Sequence, residues 1–327
     1  MKSLKERIDY YDRAKGLLIL LVVIGHILQY ANPEYNIVPY ILAQSLINSF
    51  HMSAFFVISG MLFDNERWEA KSWKDFLKKW VMTLLVPYCF FELIAALYEM
   101  CVLGWDLSVV GGIYNMITFR CNIGADWFLP AIFAAQCIYF LYVKHPNQIG
   151  WGIVAILCFF CTWYMPSGHW WQVLCRGMLG FGFIFLGNTF KKFLNYKPAQ
   201  KYKTYLVTGG AFFLTAACAA FCFKFGRNDF YLCEVKNPLL FVIGGLSGAC
   251  FVIGVSRLVQ FKWLRWIGEN SLIIMGTHQL VLYTVPSSSS ILWVAGVFVL
   301  ILVIELPVIF LAGRFCPFLV GKAKLAK

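Results

Sequence analysis

Long apolar stretches separated by short polar connections run along the whole chain, and charged positions rarely interrupt them. An α-helix rises ~1.5 Å per residue, so crossing a hydrocarbon layer ~30 Å thick takes roughly 20 apolar residues. By that measure the pattern predicts about ten transmembrane helices, over 14–30, 40–63, 80–103, 127–143, 149–165, 170–190, 204–223, 238–258, 268–286 and 290–313. The first stretch runs on through His26, Gln29 and Tyr30 without a small-residue cleavage site, the pattern of a retained helix rather than of a cleaved leader. The expected fold is an all-α integral membrane protein, a single polytopic domain over 1–327 with no appended soluble domain.

Composition supports the same reading. Of 327 residues, 60% are hydrophobic and 13% charged, and the mean hydropathy of +0.70 lies outside the range of soluble globular domains. A net charge of +12 would suit a nucleic-acid binder, but 23 of the 28 basic residues fall on the side of the N-terminus. They include Arg13, Lys15, the 64–79 and 191–203 connections, Arg257, Lys262 and Arg265. Such asymmetry is topological: it puts both termini in the cytoplasm, favours an even number of helices, and leaves no need for nucleic acid. The setting implied is a multi-pass cell membrane protein of the bacterial cytoplasmic membrane.

Twelve cysteines would signal a disulfide framework in a secreted protein, but most of these fall inside the predicted spans, where a thiol packs as a small hydrophobe. The pair Cys158 and Cys161 in "CFFC" has redox spacing, yet its place in an apolar helix favours packing. Cys121 and Cys233, on outer connections, are the pair that an oxidising compartment would allow to join. The outer connection from Gly104 to Ala125, rich in glycine and small polar residues, has the composition of a lid. The five histidines are scattered, without the i, i+4 spacing of a zinc helix, so no metal is expected.

Ionisable groups at membrane depth are costly and mark function unless a neighbouring helix satisfies them. His26, His51, Glu92, Glu99, Arg176, His278 and Glu305 fall inside predicted spans, and Asp126, His169 and Glu269 lie near span ends. Packing within the bundle accounts for Glu99 and Glu305. Lys15 and His26 answer to geometry. Eleven residues turn a helix through three full turns and about 20°, so the two share one face about 16 Å apart. Asp12, three residues before Lys15, lies beside that stripe and can pair with it.

These residues carry a family resemblance. "DYYDRAKGLLILLVVIGHI" resembles the first helix of the acyltransferase-3 family of membrane O-acyltransferases, in which Arg or Lys is followed after ten residues by His. The nearest branch is the fucose 4-O-acetylase-like one. "FHMSAFFVISGMLF" (50–63), "FLKKWVMTLLVPY" (76–88), "DWFLPAIF" (126–133) and "IGENSLIIMGTH" (267–278) are similar, in order, to further motifs of that family. Ser53 and Ala54 stand where the family usually has Pro and Leu, which removes the kink that proline would impose beside His51.

The resemblance implies transfer of an acyl group, usually acetyl, from acetyl-CoA to a hydroxyl of a sugar or a lipid-linked glycan. Neutral histidine is the side chain best suited to take the hydroxyl proton near neutrality, and His26 is assigned that role of general base. Lys15 at one end of the same helix, with Lys78 and Lys79 at the start of the third span, would meet the phosphates of CoA. Those two lysines also read as interfacial anchors. His51 and His278 would orient His26, stabilise the oxyanion or accept from substrate. Arg176 would stabilise developing charge or pair with Glu92. Asp126 and Trp127 cluster with "HWW" at 169–171 at the outer boundary as acceptor-binding residues, where a sugar ring would stack on the tryptophans, although an aromatic membrane belt predicts the same residues and is favoured. A transporter or flippase for a polysaccharide intermediate is the main alternative, and a degenerate scaffold a third, but no repeat symmetry of the transporter kind is present.

Overall fold

The computed structural model describes residues 9–102, 104, 109–164, 168–195, 201–226 and 228–320. Both chain ends, with Lys2, Lys5, Arg7, Lys322, Lys324 and Lys327, lie outside the described residues, as do Lys197, Arg227 and part of the 104–125 connection. Helix occupies each of the ten predicted stretches. Among the described residues, six helical segments are long and apolar enough to cross a membrane: Asp9–Ala31, Val38–Leu62, Trp73–Cys101, Tyr202–Phe225, Pro238–Leu258 and Ile291–Phe315. The chain is an all-α multi-pass membrane protein.

The helix α1 (Asp9–Ala31) is central. It packs on α13 (Pro238–Leu258), α14 (Lys262–Glu269), α15 (Ser271–Thr284) and α16 (Ile291–Phe315). The contact with α14 is close because it is made through glycines. A Cβ on Gly16 would sit 2.2 Å from the carbonyl oxygen of Leu264, and one on Gly268 would sit 1.7 Å from that of Asp12. Small residues at such crossings let backbones touch and replace the hydrophobic drive that lipid does not supply.

The second predicted span is broken. It forms α2 (Val38–Asn48) and α3 (His51–Leu62), separated at Ser49 and Phe50. Phe50 leaves helical geometry at φ −143°, ψ −27°, so the chain turns beside His51 without the proline whose absence predicted a straight helix. The third span starts earlier than expected. Its first part, α5 (Trp73–Trp80), carries a capping box in which Ser72 and Asp75 bond each other's backbone N–H. It runs through a π-helical turn (Val81–Leu85) into α6 (Val86–Cys101). Pro87, in the first turn of α6, has no N–H to give, and the wider turn before it absorbs that missing bond.

Part of the 104–125 connection is described. It holds the helix α7 (Val109–Thr118), followed by a tight segment that leads into α8 (Phe128–Lys144). Between α10 (His169–Thr189) and α3 the crossing is again glycine-mediated: a Cβ on Gly187 would meet the Val57 carbonyl oxygen at 2.2 Å. The connection from α12 (Lys201–Phe225) to α13 folds into a two-residue β pair, Asn228–Asp229 with Glu234–Val235. Its turn drives Phe230 into the bundle, where the ring stacks on Phe56 at 5.0 Å. The apolar pattern that predicts the helices gave no sign of this hairpin.

Candidate active site

One cavity of about 600 Å³ gathers most of the polar chemistry. From α1 it takes Val22, Gly25, His26, Gln29 and Tyr30, spaced by three and four residues as one helical face requires. Asn48 and His51 enter from the broken α2–α3 corner, Asp229 and Tyr231 from the hairpin, and Gln279 from α15. Gly124, Ala125 and Trp127 close another side.

His26 and His51 therefore share one chamber. Nδ1 of His51 lies 2.8 Å from the Ile47 carbonyl oxygen. Nδ1 of His26 lies 3.1 Å from the amide nitrogen of Gln279, whose Oε1 accepts from the backbone N–H of Ala125 at 2.8 Å. His278 is next to them but sealed off: its ring centroid is 5.3 Å from that of His26, the residue is 0% exposed, and it is not part of the cavity wall. Its Nδ1 bonds the Ile274 carbonyl oxygen at 2.7 Å, and its buried Nε2 has no partner.

Glu92 holds the wall in place. Its carboxylate accepts from the backbone N–H groups of Asn122 and Ile123 at 2.5 and 3.4 Å, which fixes the segment carrying Gly124 and Ala125. It does not pair with Arg176. That guanidinium, 3% exposed, donates through Nε and Nη2 to the Tyr231 carbonyl oxygen and lies over the Trp127 and Tyr231 rings at 5.1 and 4.6 Å. Arg176 is not in the cavity wall; it grips the hairpin that is. The reason is local: the Tyr231 carbonyl oxygen and the Gln172 side-chain oxygen accept its N–H groups, and two aromatic faces flank it.

Of the expected acceptor-binding pair, Trp127 lines the cavity and Asp126 does not. Asp126 is fully buried behind the wall, with neither carboxylate oxygen hydrogen-bonded. Glu305 accepts from Thr277 across α15 and α16 at 2.8 and 3.0 Å, the packing role read for it from the sequence. All twelve cysteines are free. Cys121 sits 3.8 Å from the Tyr88 hydroxyl and Cys233 bonds the Gln172 carbonyl, so the conceivable outer disulfide is not formed.

The basic residues expected to hold phosphate lie elsewhere. Lys15 pairs with Asp12 at 2.8 Å and is part-exposed near the start of α1. Between it and the cavity, on the same stripe, Leu18 and Ile19 are 0% and 1% exposed, so the interval is packed shut. Lys79 lies over the Trp68 and Trp80 rings at 4.7 and 4.4 Å, and Lys78 is exposed on α5. None of the three lines the cavity. The described wall contains no residue of α1 before Val22.

The amides Gln44, Asn48 and Gln279 had no role in the sequence pattern, which marks ionisable groups within apolar spans, and Asp229 was passed over because it falls in a connection between spans. Gln279 carried the most legible signal, standing beside His278 in an otherwise apolar helix.

No curated protein and no solved structure is significantly similar to this chain. A family model described as an acyltransferase domain matches residues 8–313, nearly the whole chain and all of the cavity wall. The protein thus belongs to the acyltransferase-3 family, as a membrane acyltransferase.

Proposed function

We propose that the protein transfers an acetyl group from acetyl-CoA to a hydroxyl of a cell-surface sugar or lipid-linked glycan, as a fucose 4-O-acetylase-like member of its family. The observation that carries this reading is the pair of imidazoles, His26 and His51, opening on one chamber. Acyl transfer needs a group to take the hydroxyl proton and a donor for the carbonyl oxygen as it becomes an oxyanion, and two imidazoles supply both. The rest of the wall suits a carbohydrate. Trp127, Tyr30 and Tyr231 offer aromatic faces, and Gln29, Asn48 and Asp229 offer donors and acceptors for hydroxyls.

In this reading the Lys15 end of α1 faces the cytoplasm of a bacterial cell, and Lys15, Lys78 and Lys79 meet the phosphates of CoA there. The acceptor occupies the chamber at the other end. The packed Leu18–Ile19 interval separates the two in the conformation described, so transfer requires that interval to open. Purified protein given labelled acetyl-CoA and a candidate glycan tests the reading: label should pass to the glycan, and His26→Ala should abolish it. Transfer that persists in full after His26→Ala would remove His26 from the chemistry, and glycan movement across liposomes without CoA would favour the transporter alternative.

A further inference from the structure

We infer that Gln279 is a positioning residue that fixes the proton of His26 on Nε2, making His26 the hydrogen-bond donor of the pair and His51 the proton acceptor. The inference rests on the acyl-transfer reading and departs from the base role that the sequence suggests for His26.

A backbone N–H can only donate, so the Gln279 atom 2.8 Å from Ala125 N is the carbonyl oxygen. That leaves the NH₂ group facing His26, 3.1 Å from Nδ1. An amide nitrogen can only donate, so Nδ1 is the acceptor, and the neutral ring carries its hydrogen on Nε2. Flipping the amide would set two donors against each other at Ala125. The orientation is enforced from further out, because Glu92 holds Asn122 and Ile123 and thereby the Ala125 N–H itself.

The opposite tautomer is imposed on His51. Its Nδ1 faces a carbonyl oxygen, which can only accept, so in the neutral ring Nδ1 carries the hydrogen and the lone pair falls on Nε2. His51 is part of the cavity wall. His278 is likewise held as the Nδ1–H tautomer, but it lies outside the wall. Among the described residues, the imidazole lone pair offered to the chamber is that of His51, and the imidazole N–H is that of His26.

The step then balances. The acceptor oxygen attacks the thioester carbonyl carbon while its proton passes to His51 Nε2, and the resulting oxyanion takes a hydrogen bond from His26 Nε2–H. Collapse breaks the C–S bond, and His51 returns the proton to the thiolate, leaving the ester and free CoA.

Ring-¹⁵N histidine labelling of the whole protein in lipid nanodiscs reads the tautomer without turnover, the His26 signals being identified by their loss in His26→Asn. Wild type should show His26 with a bare Nδ1 and a protonated Nε2. Gln279→Glu reverses the bond, since a carboxylate accepts from both Ala125 N–H and the ring. It should move the His26 proton to Nδ1 and lower kcat roughly 30-fold, the worth of about two ordinary hydrogen bonds, with KM for acetyl-CoA unchanged. Added imidazole should restore transfer to His51→Gly and not to His26→Gly. His26 protonated on Nδ1 in wild type, an unmoved tautomer in Gln279→Glu, or rescue of His26→Gly instead would each overturn the inference. Absence of transfer by wild type with every acceptor would sink the acyl-transfer reading and leave the tautomer result standing.

Discussion

Replacing Arg176 with alanine separates a clamp from a catalytic group. The side chain is buried and donates twice to the Tyr231 carbonyl oxygen. A hydrogen bond from a charged donor is worth about 1.5–3 kcal/mol net. Each aromatic face in contact adds ~0.5–2 kcal/mol, and the two contacts lie at 5.1 and 4.6 Å. Truncation also leaves a carbonyl unpaired. Allowing for overlap between these terms, the expected loss is about 3–5 kcal/mol. Cys161 and Cys175, buried 3.4 Å apart under this corner, report its opening through a thiol-reactive dye. Arg176→Ala should lower the temperature of dye uptake by several degrees and raise KM for the acceptor, because Tyr231 and Asp229 line the chamber. Its kcat should stay within about threefold of wild type, an effect below ~1 kcal/mol. A hundredfold fall in kcat at unchanged thermal stability would refute this and return Arg176 to the chemistry.

Two further expectations concern packing and donor binding. Gly187→Ala forces a Cβ to within 2.2 Å of the Val57 carbonyl oxygen, so α3 and α10 must separate. Overpacking of this kind costs about 1–3 kcal/mol, and the unfolding temperature in detergent should fall while Gly209→Ala, with open space around it, leaves it unchanged. Lys15→Met should raise KM for acetyl-CoA roughly 10- to 150-fold, the worth of one charge-assisted bond to phosphate, with little change in kcat at saturating donor; steady-state kinetics in nanodiscs decide it.

Much of the fold is legible in the sequence because apolar length and hydropathy are properties of the chain itself. The helical face shared by Lys15 and His26 likewise follows from the 3.6-residue turn. What fills the space between them does not: Leu18 and Ile19 would read as apolar whether they lined a tunnel or sealed one. The partner of Arg176 was hidden because it is a backbone carbonyl, a group that every residue carries. The turn at Ser49–Phe50 has no proline to announce it, and the two-residue strands of the hairpin are too short to show a period of two. Gln279 was missed because an amide costs less to bury than a charge, although its fixed donor and acceptor ends make it better able to dictate a proton's position.

The sealed interval of α1 has a consequence for the cell's energy supply. A catalyst that serves a coenzyme at one face of a bilayer and a hydrophilic acceptor at the other risks becoming a wire for protons. Lys15 and Val22 stand seven positions apart, about 10 Å along the helix, and the stripe between them, Leu18 and Ile19, offers no group on which a proton can rest. If the proposed placement of donor and acceptor holds, that dry stretch insulates the membrane voltage between turnovers.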